Sequence, residues 1–312
     1  MTLKKDPDSN AQVPPHSRYA ADLLLLSTAL MWGTNILVFK YSITDLSPWV
    51  FNALRLIFAT LTLGLLAFLE AQFWPSRSQR GTVGRWQFFC FAMFNGLLYL
   101  VTFVKGISLT TAGNTALILA SMPMWTAVLS YIFLRERLPR ITWLGLFVTL
   151  VGTVIVTTQG SGEVNFSSQF FLGNLLILTA AICWAGGTVI SRPILQSITP
   201  LRLAFYSSAL TMPLHLLIAA AEIPAALPLV CKPSTLAAII YSGIFSTGIA
   251  YATWHAGVRA LGGSHAAVYQ NVVTLVAVIG GWIVLQEQPL LSQVLGGVLT
   301  VAGLFLMRRG RS

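Results

Sequence analysis

Residues 106–157 read GISLTTAGNTALILASMPMWTAVLSYIFLRERLPRITWLGLFVTLVGTVIVT, and residues 257–308 read GVRALGGSHAAVYQNVVTLVAVIGGWIVLQEQPLLSQVLGGVLTVAGLFLMR. Sliding the chain by 151 positions lays one on the other. Gly106 meets Gly257, Ala116 meets Ala267, Leu134-x-Glu136 meets Leu285-x-Glu287, and Leu144-Gly145 meets Leu295-Gly296. Further on, Thr149 and Gly152 meet Thr300 and Gly303. Few positions are identical, and an apolar composition inflates chance matches. The weight rests on register: two apolar runs around one short polar break, twice over.

Hydrophobic residues make up 55% of the chain and charged residues 9%, against about 25% charged in an ordinary soluble domain. That composition implies an integral membrane protein. A span needs roughly 20 apolar residues to cross about 30 Å of hydrocarbon, and ten runs approach that length. They are Ala21–Tyr41, Pro48–Leu69, Trp86–Val104, Ala112–Leu134, Ile141–Thr158, Phe170–Ile190, Pro200–Ala220, Thr235–Trp254, His265–Leu285 and Leu290–Met307. The runs are about twice the length of a membrane strand and lack its period of two, so helices are expected, not a barrel. The polar start, MTLKKDPDSNAQVPPHSRY, is expected to be retained, because the first apolar run lacks a small-residue cleavage site. Cys90, Cys183 and Cys231 show neither a disulfide framework nor a metal spacing.

Charge supplies the topology. With Lys4, Lys5 and Arg18 in the cytoplasm, fifteen basic residues fall on that side, and only Lys40, Lys105 and Lys232 fall outside. By the positive-inside rule both termini are cytoplasmic, which also explains the net charge of +10 without nucleic acid. Two copies of five spans must then enter the membrane from opposite sides. The polar breaks carry the mark of it: Arg135-Glu136-Arg137-Leu138-Pro139-Arg140 is basic, while Gln286-Glu287-Gln288-Pro289 carries no base. The first helices of the halves match at an offset of 152, Trp32 with Trp184, Lys40 with Arg192, and Ser47-Pro48 with Thr199-Pro200. The expected division is a tail at 1–20, a five-helix repeat at 21–158, an external linker at 159–169, a second repeat at 170–307 and a basic tail at 308–312. The fold class is thus an all-α integral membrane protein of ten transmembrane helices in two inverted repeats. Many secondary transporters are built this way, with the site near the midplane between the halves.

The stretches TALILASMPMWTAVLSYIFLRERL, WLGLFVTLVGTVIV, AAVYQNVVTLVAVIGGWIVLQEQP and GGVLTVAGLFLM resemble the drug/metabolite transporter superfamily, in its ten-helix branch with two EamA-type domains. The resemblance covers nearly the whole chain after the tail. It implies a transporter and leaves the substrate open, since members mostly export amino acids, other metabolites or drugs, and some import metabolites or exchange sugar phosphates. Pro123 looks like the proline usual in the fourth helix, whereas the second copy has Thr274, which leaves a matching kink open there.

Helical spacing of three and four gathers candidate binding residues on common faces. The first helix offers Thr28, Trp32, Asn35 and Phe39, the third Asn95, Tyr99 and Thr102, and the fourth Asn114, Ile118, Ser121 and Trp125. Trp184 stands on the sixth, Thr247, Tyr251, Trp254 and His255 on the eighth, and His265 and Tyr269 on the ninth. Together they would line a cavity of aromatic faces and neutral hydrogen-bonding groups suited to a small amphipathic solute. Alternatively, Ser, Thr and Asn glue helices together while Trp and Tyr belong to interfacial belts.

Arg55 is the charged residue inside a span, about two turns from the end of the second helix. It is a candidate anion contact, or else a long side chain that snorkels or caps carbonyls. The structural role is the leading expectation. Acidic residues lie at helix ends or in loops, which disfavours proton-coupled export of cationic drugs. Export of amino acids or related compounds by uncoupled or exchange transport is expected. The alternatives are an importer of organic anions using Arg55 or a multidrug exporter. No acid cluster, paired metal ligands or nucleophile–base arrangement suggests an enzyme, and no cofactor or metal is expected. The expected partners are a small-molecule substrate and the lipid bilayer, in the inner membrane, with a monomer sufficient and a dimer allowed.

Overall fold

The computed structural model describes residues 15–73, 83–136, 138–159, 168–261 and 263–309, with the side chains of 15–17, 259, 263–268 and 308 set aside. Among the described residues the regular structure is entirely helical. The long helices are α1 (Pro15–Ser42), α2 (Pro48–Phe73), α3 (Arg85–Leu109), α4 (Ala112–Leu134) and α5 (Arg140–Gln159), then α6 (Gln169–Ile194), α7 (Pro200–Ala219), α8 (233–261), α9 (Gly263–Val284) and α10 (Leu291–Arg309). The first eight are long and apolar enough to cross a membrane, while α9 and α10 carry shorter apolar stretches, Tyr269–Val284 and Leu291–Met307. A short helix, Ile223–Val230, occupies the connection before α8, where the sequence suggested only loop. Pro224 opens it, in a first turn that needs no internal N–H.

Helix starts follow from local chemistry. Thr111, Ser168 and Thr199 each accept a bond from a backbone N–H three residues on, satisfying a donor that the first turn leaves free. Pro48 and Pro200 sit where no intrahelical N–H is missed. Pro123 acts one turn earlier than its own position. It has no N–H to give the carbonyl of Leu119, so α4 stops at Leu119 and restarts at Met122. Ser121 fills the gap, its hydroxyl donating to the Ile118 carbonyl at 2.6 Å. The counterpart α9, with Thr274, is one unbroken helix.

α5 and α10 make the most extensive pairing in the molecule. A Cβ on Gly145 would fall 2.6 Å from the Gly303 carbonyl oxygen, and one on Gly152 would fall 2.5 Å from that of Gly296. In the repeat, Gly145 is equivalent to Gly296 and Gly152 to Gly303, so equivalent residues exchange partners across an antiparallel crossing. Thr149 and Thr300 are equivalent too, and each donates to the glycine carbonyl four residues before it, both at 2.9 Å. α2 and α7 also pack on one another, and α3 against α6 mirrors α8 against α1.

Three local irregularities recur at equivalent places. Arg135 and Gln286 close α4 and α9 with left-handed φ of 53° and 57°. Neither is glycine, so each costs about 1 kcal/mol or more. The following N–H groups, of Glu136 and Glu287, return to the equivalent carbonyls of Ser130 and Gly281. α3 and α8 each contain a π-helical segment, Ala92–Leu98 and Tyr241–Ile249. These end on matched bonds, Tyr99 N–H to the Phe94 carbonyl and Ala250 N–H to the Phe245 carbonyl. A π segment widens the turn and re-aims backbone carbonyls, and such segments are frequent at functional sites.

Candidate functional site

The two ends of the bundle differ. At one end the left-handed Gln286 turns the chain so that Glu287 reaches the start of α4, where its carboxylate accepts from Ala112 N–H at 2.8 Å and Gly113 N–H at 3.1 Å. An anion at a helix N-terminus meets both free donors and the positive end of the helix dipole. Lys40, from the end of α1, donates to the carbonyls of Ile107 and Thr110 beside it. Beneath, Asn114 is fully buried, accepting from Gln293 Nε2 at 2.7 Å and donating to Thr110 and Asn174. Asn174 in turn donates to the Thr157 carbonyl. Six helices, α1, α3, α4, α5, α6 and α10, are tied together here by hydrogen bonds.

At the opposite end the equivalent Glu136 is ion-paired with Arg192 at the close of α6. Here a cavity of about 260 Å³ opens between α2, α7 and α8, lined by Leu66, Glu70, Pro200, Ala252 and His255 among others. The Tyr269 hydroxyl donates to Asp22 at 2.8 Å, joining α9 to α1 at this same end.

Between the ends lie two aromatic groups. In one, Trp32 and Trp254 pack with ring centroids 5.2 Å apart, and the Trp32 indole N–H donates to the Ser246 carbonyl in the π segment of α8 at 2.9 Å. Tyr251 packs on His255 a turn below. In the other, rings follow one another from α6 to α1: Trp184 on Tyr99 at 4.9 Å, Tyr99 on Phe103 at 5.8 Å, and Phe103 on Phe39 at 5.6 Å. Asn95 shares this wall. Gly187 lets it approach, since a Cβ there would meet the Asn95 side chain at 2.8 Å.

The second group ends under Arg55. Its guanidinium carbon sits 5.4 Å from the Phe39 ring centre, Nε donates to Asn52 Oδ1 at 3.1 Å, and Nη1 donates to Thr247 Oγ1 at 3.2 Å. The residue is 5% exposed. Arg55 thus turns inward, onto neutral groups, and donates to no backbone carbonyl among the described residues. Asn52 also meets His215 Nδ1 at 3.3 Å, and His215 Nε2 lies 3.0 Å from the Gly96 carbonyl oxygen. The roles in this chain are forced. Arg55 only donates, so Asn52 turns its oxygen there and its NH2 toward His215. Nδ1 must then accept, and Nε2 must carry the proton that Gly96 receives. Gly96 allows the approach of α7, since a Cβ there would meet Thr211 at 2.7 Å.

Of the residues expected to line one cavity, the structure brings Trp32 to Trp254, and Tyr99 and Asn95 to the Trp184 face. Tyr251 lies beside His255. Asn114 and Ser121 do not join them: both are fully buried, one in the network at the Glu287 end and the other in the break of α4, where it accepts from the Trp125 indole. Tyr269 is engaged with Asp22. Asn35 is half-buried, and its Oδ1 has no hydrogen-bond partner among the described residues; the side chain of His265 lies outside the described residues. Asn52, Phe103 and His215 were not anticipated. The available signals were an asparagine three residues before Arg55 and a histidine within an apolar run.

The model of the EamA-like transporter family matches residues 19–158 and again 171–309. The chain is 24% identical over 283 residues to the uncharacterized transporter YoaV of Bacillus subtilis, covering 90% of this chain and 94% of that one. It is 27% identical over 290 residues to an uncharacterized transporter of Archaeoglobus fulgidus, covering 91% and 96%. A solved crystal structure shares the fold at TM-score 0.60 and 20% identity, covering 92% of this chain and 96% of the other.

Proposed function

The chain belongs to the EamA-like transporter family of the drug/metabolite transporter superfamily and is a multi-pass membrane protein, and on that premise we propose that it is a secondary carrier working by alternating access between two inverted halves. The exchange of equivalent partners between α5 and α10 carries this reading, because two copies related by a two-fold axis make that contact. In this reading all ten long helices span the bilayer. The Glu287 end is external and the basic Glu136 end is cytoplasmic, with both termini inside and residues 21–158 and 170–307 as the repeats. The external end is then the one that Glu287 holds closed, and the cavity lined by Glu70 and His255 lies on the cytoplasmic side.

The substrate class is small amphipathic metabolites, amino acids or related compounds, moved outward across the inner membrane. Movement follows the substrate's own gradient or exchange. In support, the acids Asp22, Glu70, Glu136 and Glu287 stand at the ends of the apolar runs or just past them, away from the middle of the bundle. The protein acts as a carrier and not as an enzyme, and one chain contains the whole interface between its halves. Counterflow in liposomes holding the purified protein tests this. Saturable exchange of a labelled amino acid without an imposed pH gradient is the expected result, and movement only under a pH gradient would overturn the uncoupled mechanism.

The aromatic groups give a second prediction. An aromatic pair contributes about 0.5–1.5 kcal/mol beyond area burial, so Trp32→Ala and Tyr99→Ala are each expected to change apparent KM by about 3- to 10-fold. Membrane insertion and yield should persist. Unchanged kinetics and selectivity in both variants would make these rings packing faces.

A further inference from the structure

We propose that Arg55 is the receptor for a carboxylate of the transported solute, so that the substrate is a carboxylate-bearing molecule with an apolar or aromatic body. This rests on the carrier reading and narrows its substrate class.

Arg55 lies seven residues into α2, roughly 10 Å along the helix axis, and is 5% exposed. A positive charge at such a place is costly and is usually paired with an anion or with backbone carbonyls. None is supplied among the described residues. Asp22 serves Tyr269, Glu70 accepts from Thr199, Glu136 holds Arg192, and Glu287 caps α4. The partners of Arg55 are the neutral Asn52 and Thr247 and the face of Phe39, and Nη2 has no acceptor among the described residues.

The side chain is also aimed. Gly96, His215 and Asn52 form a chain whose donors and acceptors have one consistent assignment, and it ends on Nε. Thr247 holds Nη1 and is itself fixed by donating to the Ser242 carbonyl within the π segment of α8. With Nε engaged and Nη1 engaged once, Nη2 keeps both of its hydrogens and Nη1 one for the charge-assisted bonds that a carboxylate accepts. The aromatic series of Phe39, Phe103, Tyr99 and Trp184 runs on from the guanidinium; the first two rings are buried, and the half-buried Tyr99 and Trp184 offer apolar surface for the body of the solute. Both π segments bear on this one guanidinium, through Thr247 and through the Gly96 carbonyl. An inorganic anion shares the carboxylate's charge, and the experiment separates the two.

The purified full chain in detergent is titrated with 3-phenylpropionate, phenylalanine, phenethylamine and sodium chloride, following tryptophan fluorescence and thermal stability. The two carboxylates are expected to bind saturably and at least tenfold more tightly than the amine, with chloride competing weakly. Arg55→Gln should remove the preference, and Arg55→Lys should restore part of it. Should Arg55→Gln fail to fold, Thr247→Val, which removes one support of the fork, should weaken the carboxylates several-fold and leave the amine unchanged. Equal binding of amine and carboxylates, no carboxylate binding at all, a preference that survives Arg55→Gln, or a chloride effect that carboxylates cannot displace would each overturn the assignment. Counterflow distinguishes the two levels: carboxylate binding without exchange removes the carrier reading and leaves the receptor, whereas exchange of amines alone does the reverse.

Discussion

Gly152→Leu is expected to leave little folded protein. A Cβ at that position would stand 2.5 Å from the Gly296 carbonyl oxygen and 2.6 Å from the Thr300 amide nitrogen, and neither is a flexible side-chain end that can move aside. Lipid tails are as apolar as leucine, so membrane helices associate by close packing and gain little from burying apolar surface. Separating α5 from α10 therefore removes contact without compensation, at a cost of about 3 kcal/mol. The same helix offers the control. Val154 is 49% exposed, and Val154→Leu should behave as the parent. Monodispersity and melting temperature in detergent decide it, and a Gly152→Leu protein that melts with the parent would mean that the crossing is not where the halves are held.

Glu287→Ala should loosen the closed end. The carboxylate makes two charge-assisted bonds to the free amides of α4, and removing it loses about 2 kcal/mol from capping and the dipole together. On the carrier reading that energy biases the closed state, so its loss shifts the balance about 30-fold toward opening at this end. Thr115 lies one turn below the cap and is fully buried. In a background without Cys90, Cys183 and Cys231, Thr115→Cys should react with a membrane-impermeant thiol reagent at least tenfold faster when combined with Glu287→Ala. An unchanged rate would show that Glu287 caps a helix and gates nothing.

What could be read from the chain is what depends on local pattern. The ten apolar runs, the Leu134-x-Glu136 and Leu285-x-Glu287 register and the glycines of α5 and α10 were legible because each repeats at fixed spacing. Partners are another matter. Spacing assigned Asn114 and Tyr269 to a common lining, but a face of a helix does not say which neighbour it meets, and these two meet Gln293 and Asp22 at opposite ends. Arg55 was visible as a charge within a span, with Asn52 one turn before it, yet its burial depends on Thr247 and Phe39 arriving from two other helices. The π segments had no signal, since an i to i−5 turn is selected by packing and not by composition. Pro123 was visible as the proline of the fourth helix, and the break it makes falls before it, because the carbonyl that loses its donor lies four residues earlier.

The α5–α10 crossing also bears on the history of the chain. A contact in which equivalent residues exchange partners is self-complementary, the kind that two identical chains make before any gene fusion joins them. Once fused, a change at Gly145 is felt at Gly303, and one at Gly152 at Gly296, so this seam can drift only by compensated pairs. Positions away from it carry no such bond. Lys40 and Arg192 have taken different partners, carbonyls for one and Glu136 for the other, and Arg55 stands opposite a serine in the other half. The seam is the archive of the duplication, and asymmetric chemistry has accumulated where the two copies were free to disagree.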